Sequence, residues 1–224
     1  MTWNGTSCST WRLYVIVDRA AAGSRALADV AARAVRGGAD AIQLRDKTAT
    51  TRSLLETAAR LLAVTRPAGV PLIINDRVDV AHAAQADGVH LGQDDLPIEA
   101  ARAMLGRGRL IGKSTHSLEQ AAAAEEEGAD YLGVGPIFPT PTKPDYGSVG
   151  LSLVRSVSAQ VRIPFVCIGG IEAANVRRVA EAGGDRVAVV RAVCGAEDPE
   201  AAARTLKQLI GNPPQRRVAA PSGS

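Results

Sequence analysis

Gly37-Gly38-Ala39-Asp40-Ala41-Ile42-Gln43-Leu44-Arg45-Asp46-Lys47 carries the end of one element, the whole of the next and a polar tip. Glycine ends a helix through a left-handed residue, and an aspartate fits the turn that follows. Ala41 to Arg45 is then a short run, too apolar on both faces to border solvent, which is the signature of a parallel strand covered by helices. The same turn recurs as Ala86-Asp87-Gly88, Gly128-Ala129-Asp130 and Gly183-Gly184-Asp185.

Outward from that stretch, runs rich in Val, Ile and Leu alternate with Ala-rich stretches of helical period. The strand runs are Leu13 to Asp18, Ala41 to Arg45, Pro71 to Asp76, Gly88 to Gly92, Leu110 to Ser114, Tyr131 to Gly135, Pro164 to Gly170 and Val187 to Val193. Helices are predicted over Ser24 to Arg36, Thr51 to Thr65, Ser117 to Glu127 and Pro199 to Ile210, which use strong helix formers. Eight β-then-α units imply an α/β fold, a single (β/α)8 TIM barrel. A doubly wound open sheet would need fewer strands and a glycine-rich first turn, which Asp18 to Gly23 does not supply. The expected organisation is a flexible segment over 1–12, a catalytic barrel over 13–210 and a disordered, proline-bearing tail over 211–224.

The chain of 224 residues has 26 Lys and Arg against 23 acidic residues, a net charge of +3 that is too mild to point to nucleic acid. Three widely spaced cysteines, Cys8, Cys167 and Cys194, form no disulfide framework or zinc motif, which suits a reducing cytoplasm. No segment approaches the ~18 apolar residues of a membrane span, and Met1 to Arg12 lacks a signal-peptide core. The expected partners are small molecules, with no nucleic acid and no membrane, and a homo-oligomer is left open.

Barrels of this class build their active sites on the loops after the strands, so polar residues at strand ends are read as functional. Strand alternation sends Gln43, Arg45 and Lys47 to one side of the second strand. Arg45 could pair with an acidic residue of a neighbouring strand, but two adjacent cations more naturally meet a phosphate. Asn75-Asp76 ends the third strand and Gly92-Gln93-Asp94-Asp95 follows the fourth. Asp76 and Asp95 read as Mg²⁺ ligands, with helix capping the competing role, and Asp94 reads as capping or solvated.

The segment Gly135 to Asp145 carries four prolines, Thr140, Thr142 and Lys143, a composition suited to a binding loop or lid for a phosphate. Gly169-Gly170 and the turn Val190-Arg191 occupy the positions where many barrels bind phosphate through backbone N–H groups. His82, His90 and His116 show no metal spacing and no nucleophile partner, so His90 and His116 read as barrel-interior or supporting groups.

The ordered set Gln43-Leu44-Arg45-Asp46-Lys47, Ile74 to Val80, Asp87 to Leu96, Gly112 to Ser117, Gly133 to Lys143 and Ile168 to Ile171 resembles the thiamine-phosphate synthase family. That resemblance runs from about Leu13 to Ile210. It implies a barrel that joins an aminopyrimidine diphosphate to a thiazole phosphate with one Mg²⁺ per subunit, releasing pyrophosphate. By the same resemblance, Gln43, Leu44, Arg45, Asp46, Lys47, Asn75, Ser114 and Lys143 hold the pyrimidine diphosphate. Thr140, Pro141, Thr142, Gly170, Val190 and Arg191 hold the thiazole phosphate, and Asp76 and Asp95 hold the metal. Arg45, Lys47, Lys143 and Ser114 are the implied catalytic set. Arg191 departs from the family pattern, which often has serine there.

Two alternatives stand beside this reading. A thiazole tautomerase on the same kind of barrel would leave the diphosphate residues without a task. A non-catalytic sensor of a thiamine precursor would bind without turnover.

Overall fold

The computed structural model describes residues 8–140 and 147–211. Strands β1 (Leu13–Asp18), β2 (Ala41–Arg45), β3 (Leu72–Asn75) and β4 (Gly88–Leu91) are followed by β5 (Leu110–Thr115), β6 (Tyr131–Val134), β7 (Phe165–Ile168) and β8 (Val187–Val189). They pair in chain order, all parallel, and β8 returns to β1 to close the eight-stranded barrel. The outer layer comprises α1 (Arg19–Ala22), α2 (Leu27–Arg36), α3 (Thr51–Thr65), α4 (Val78–Ala83), α5 (Ile98–Leu105), α6 (Leu118–Glu126), α7 (Gly150–Gln160), α8 (Val176–Glu181), α9 (Arg191–Cys194) and α10 (Pro199–Ile210). Among the described residues no helix is long and apolar enough to cross a membrane.

The near-continuous apolarity of the strands follows from burial on both faces. In β1, Leu13, Val15 and Val17 join the core under the helices, while Tyr14 and Ile16 point into the barrel. The recurring turn is a Schellman ending repeated four times, with the left-handed residue at Gly38, Gln85, Gly128 and Gly183. In each, the next N–H reaches back five residues, as from Ala39 to Ala34 O and from Ala129 to Ala124 O.

The aspartate after three of these turns fastens each new strand to the one before. Asp40 donates its N–H to Leu13 O, and its carboxylate accepts from Leu13 N at 3.0 Å and Arg12 N at 2.8 Å. Asp87 makes the same double contact with Leu72, and Asp130 with Ile111. A strand's first N–H would otherwise lack a partner, and the carboxylate supplies one. At the fourth turn Asp185 pairs instead with Arg186 at 2.5 Å.

Three boundaries differ from the sequence reading. The eighth run breaks after Val189, because Val190 turns the chain (φ −108, ψ −82) and accepts the first helical bond of α9 from Cys194 N. The stretch Ser24 to Arg36 yields α2 only from Leu27, while an extra helix, α1, opens directly after β1 on the cap of Asp18. The N-terminal segment read as flexible to residue 12 is packed from Cys8 onward. A 3₁₀ turn (Cys8–Thr10) sets Trp11 under the barrel, where Trp11 is 3% exposed and meets Tyr14 and Tyr131 edge-on at 5.6 and 5.2 Å. Residues 1–7 and 212–224, which hold the rest of both expected tails, lie outside the described residues.

Candidate active site

Trp11 closes the N-terminal end of the barrel, and the C-terminal end opens into a cavity of about 460 Å³. Gln43 and Arg45 from β2, Asn75 from β3 and Ser114 from β5 line it. Thr140, Gly170, Val190 and Arg191 line it from the loops after β6, β7 and β8. Five other described assignments, Leu44, Asp46, Lys47, Asp76 and Asp95, are not among the residues that line it. Leu44 points outward into the core beneath the helices, as alternation requires of the residue between Gln43 and Arg45. Asp46 turns away to hold the loop before α3, accepting from the Thr48 and Ala49 N–H groups, each at 3.0 Å. Pro141, Thr142 and Lys143 lie outside the described residues.

Arg45 makes the ion pair that the sequence left open, with Asp18 at the end of β1. Asp18 is buried and also caps α1 by accepting from Ala21 N at 2.9 Å. The guanidinium is thereby held at the cavity wall. It carries five N–H donors, so one ion pair leaves capacity for an anionic ligand.

Beside it, Lys47 pairs with Asp76 at 3.2 Å. Asp76 adopts a left-handed backbone (φ 63) at the β3 tip, and its N–H donates to His90 O of β4. Asp95 accepts from Gly92 N at 2.6 Å. Burial, and after it the adjacent Asp76 carboxyl, push the Asp95 carboxyl above its ordinary range. Neither aspartate caps a helix, since Arg77 precedes α4 and Pro97 precedes α5. Asp94 is exposed, in keeping with a solvated role. The described residues contain no cluster of three or more His, Cys, Asp or Glu suited to a metal, so this is a two-carboxylate corner.

The floor of the cavity is a chain of hydrogen bonds. Gln43 Nε2 donates to Tyr14 OH at 2.8 Å, and Tyr14 OH meets Tyr131 OH at 3.0 Å. Tyr131 OH lies 3.1 Å from His90 Nδ1, and His90 Nε2 lies 3.0 Å from Ser114 Oγ. Burial drives both phenol pKa values well above their ordinary range. The imidazole fits because its neighbours are glycines. A Cβ on Gly112 would come within 2.5 Å of His90 Nδ1, and one on Gly133 within 3.0 Å of its Cε1.

His90 and His116 were read as interior groups, whereas Tyr14, Tyr131 and Asp18 were not picked out at all. Their signal was register: Tyr14 pairs with Ala41, two residues before Gln43, and Tyr131 pairs with Gly112, two before Ser114. The glycine pair of β7 has a packing reason besides ligand approach. At Gly169 (φ 101) a Cβ would sit 2.4 Å from Pro136 Cβ, and at Gly170 (φ 62) one would sit 2.6 Å from Pro139 O. The loop after β6 is thus seated directly on the end of β7, with Phe138 N donating to Gly169 O.

The family model described as thiamine monophosphate synthase matches residues 13–193. The chain belongs to the thiamine-phosphate synthase family. A thiamine-phosphate synthase of Chloroflexus aurantiacus is 51% identical over 201 residues, covering 89% of this chain and 93% of that protein. One from Roseiflexus sp. is 50% identical over 209 residues, 93% of this chain and 89% of its own. The solved thiamine phosphate pyrophosphorylase of Pyrococcus furiosus superposes with a TM-score of 0.84 at 41% identity, covering 92% of this chain and 98% of its own. The barrel described above is therefore that of a transferase of thiamine biosynthesis.

Proposed function

We propose that this thiamine-phosphate synthase joins 4-amino-2-methyl-5-(diphosphooxymethyl)pyrimidine to 4-methyl-5-(2-phosphoethyl)thiazole, or its carboxylated form, giving thiamine phosphate and pyrophosphate. The supporting observation is that Arg45 lines a cavity whose floor offers uncharged hydrogen-bonding groups, while Lys47, Asp76 and Asp95 gather at the same ends of the neighbouring strands β2 to β4. Charged groups at the rim suit a diphosphate, and the neutral floor suits a heterocycle.

Asp76 and Asp95 fit a divalent cation, because the two carboxylates crowd each other and Lys47 makes its ion pair with Asp76, at 3.2 Å. A bound Mg²⁺ would neutralise diphosphate charge there. Arg45, held from behind by Asp18, takes diphosphate oxygens with its remaining donors, and Lys47 adds a second cation. In this reading Lys143 joins them, as the family resemblance implies. Gln43, Asn75 and Ser114 hold the pyrimidine ring, and Thr140, Thr142, Gly170 and the Val190-Arg191 turn receive the thiazole phosphate. No general base is required. The C–O bond breaks with its electron pair leaving on pyrophosphate, stabilised by the cations, and the thiazole nitrogen lone pair closes the new C–N bond.

Residues 13–210 form the catalytic domain in this scheme. The enzyme works in the cytoplasm on small molecules, without nucleic acid or membrane, and a homo-oligomer is compatible with it. Purified protein given both phosphorylated precursors and Mg²⁺ is expected to form a product that oxidises to fluorescent thiochrome, and to form little without the metal. Absence of that product with both precursors and metal present would overturn the proposal.

A further inference from the structure

The floor of the cavity has a direction. A phenol carries one hydrogen, and a neutral imidazole carries one on either ring nitrogen. Gln43 donates Nε2–H to Tyr14 OH, so the Tyr14 hydrogen must go to Tyr131, the acceptor beside it in an otherwise buried setting. Tyr131 then gives its own hydrogen to His90 Nδ1, which fixes the neutral imidazole with its hydrogen on Nε2. That hydrogen goes to Ser114 Oγ, and the serine hydrogen is left to point into the cavity. With the Gln43 amide so oriented, any change at a single link strands a buried phenol hydrogen without an acceptor, at a cost typical of an unmade buried hydrogen bond.

The other end of the chain is complementary. Among the described residues the one buried side-chain polar atom without a partner is Thr65 Oγ1. Gln43 Oε1, which no described side chain or backbone group engages, therefore keeps access to the cavity that Gln43 lines. The cavity presents an acceptor at β2 and a donor at β5. An aminopyrimidine offers the matching set, an exocyclic N–H donor and a ring-nitrogen acceptor. An oxo-pyrimidine offers the opposite set, a carbonyl acceptor and a ring N–H, and would require all five groups to reverse together.

We propose that the relay Gln43–Tyr14–Tyr131–His90–Ser114 sets the hydrogen-bond polarity of the cavity and thereby selects an amino-substituted over an oxo-substituted pyrimidine diphosphate. Tyr14, Tyr131 and His90 are positioning residues in this scheme, acting through the two end groups. The relay is held together by its surroundings: Trp11 backs both phenols, and Gly112 and Gly133 leave the space that the imidazole fills. Burial keeps both phenols protonated, as donors must be.

The inference rests on the synthase reading, and the test separates the two. kcat and KM are measured with the aminopyrimidine diphosphate and with its oxo analogue, for the wild-type enzyme, Tyr131→Phe and Tyr14→Phe, with thiazole phosphate saturating. The wild type is expected to favour the amino substrate by about 100-fold or more in kcat/KM, as sites built around a polar pattern do. Tyr131→Phe cuts the relay at its centre, so each end group can turn independently, and the ratio is expected to fall roughly tenfold or more, mainly through KM. Tyr14→Phe cuts it at the next link, gives the same loss of selectivity, and serves if Tyr131→Phe fails to fold. A merely structural role would lower both substrates together and leave the ratio where it was. A wild type that turns over the amino substrate while both variants keep its selectivity within about twofold overturns the relay alone. A wild type that forms no product with either pyrimidine overturns the synthase reading and the relay with it.

Discussion

Arg45 is a residue that serves structure and, in the proposed scheme, substrate as well. Its ion pair with Asp18 joins the tips of β1 and β2, and the same side chain faces the cavity. Lysine at this position would keep the charge but replace a planar fork with a point charge, which cannot hold Asp18 and a diphosphate in fixed directions together. Arg45→Lys is therefore expected to lower kcat/KM about 10- to 100-fold while leaving the melting temperature within a few degrees, as read from steady-state assays beside thermal denaturation. Near-normal turnover would remove Arg45 from the binding set. Gln43, Arg45, Asn75 and Ser114 were legible in the sequence because a polar group at an inward strand position has few bland explanations. Tyr14 and Tyr131 were hidden for the opposite reason: an aromatic in an apolar run reads as core, and its hydroxyl partners come from strands distant in sequence. Leu44 and Asp46 were drawn into the site by the family motif around them, although alternation alone would have sent Leu44 outward.

At the scale of elements, the helix endings are the most regular feature, and one of them breaks its own pattern. Gly38, Gly128 and Gly183 occupy the left-handed position, but the ending before β4 has Gln85 there at φ 53. A residue with a Cβ in that conformation costs about 1 kcal/mol or more relative to glycine. The Gln85 side chain is exposed and makes no hydrogen bond with the described residues that offsets this cost; its carbonyl accepts from Arg66 at 3.0 Å, and glycine would keep that. Gln85→Gly is expected to raise the melting temperature by roughly 2–4 °C. The reverse change, Gly128→Gln, meets no atom within 4 Å of a new Cβ and is expected to lower it by a similar amount, by calorimetry or circular dichroism. Opposite signs in the pair are the point of the measurement. The turn phrase itself was visible in the sequence, whereas the carboxylate bridge from Asp40, Asp87 and Asp130 to the preceding strand was not, because its partners lie 15 to 27 residues away. The end of β8 was equally hidden, since Val190 to Val193 is as apolar in a helix as in a strand.

For the whole molecule, closure of the barrel followed from counting β/α units, but the way its lower end is sealed did not. The residues ahead of β1 are mostly small and polar, so composition favours a loose segment, and two tryptophans in it look incidental. Trp11 is instead the plug of the barrel. It stacks edge-on against the two tyrosines, and Arg186 fastens the turn before it by donating to Ser9 O at 2.6 Å. Arg12 next to it donates to Gly211 O beyond α10, which ties the entrance of the first strand to the end of the last helix. Deleting a buried aromatic of this size typically costs about 3–5 kcal/mol, part of it the cavity left behind. A domain of this size shifts by about 2–4 °C per kcal/mol, so Trp11→Ala is expected to melt roughly 6–20 °C lower. The same change takes away the backing of Tyr14 and Tyr131 without touching the substrate cavity, from whose lining Trp11 is absent. Well below its melting point the variant is accordingly expected to keep its affinity for the thiazole phosphate, which the proposed scheme places at β7 and β8, while its KM for the pyrimidine diphosphate rises. Equal losses for the two substrates would mean that the plug supports the barrel in general and not the floor on which the pyrimidine is read.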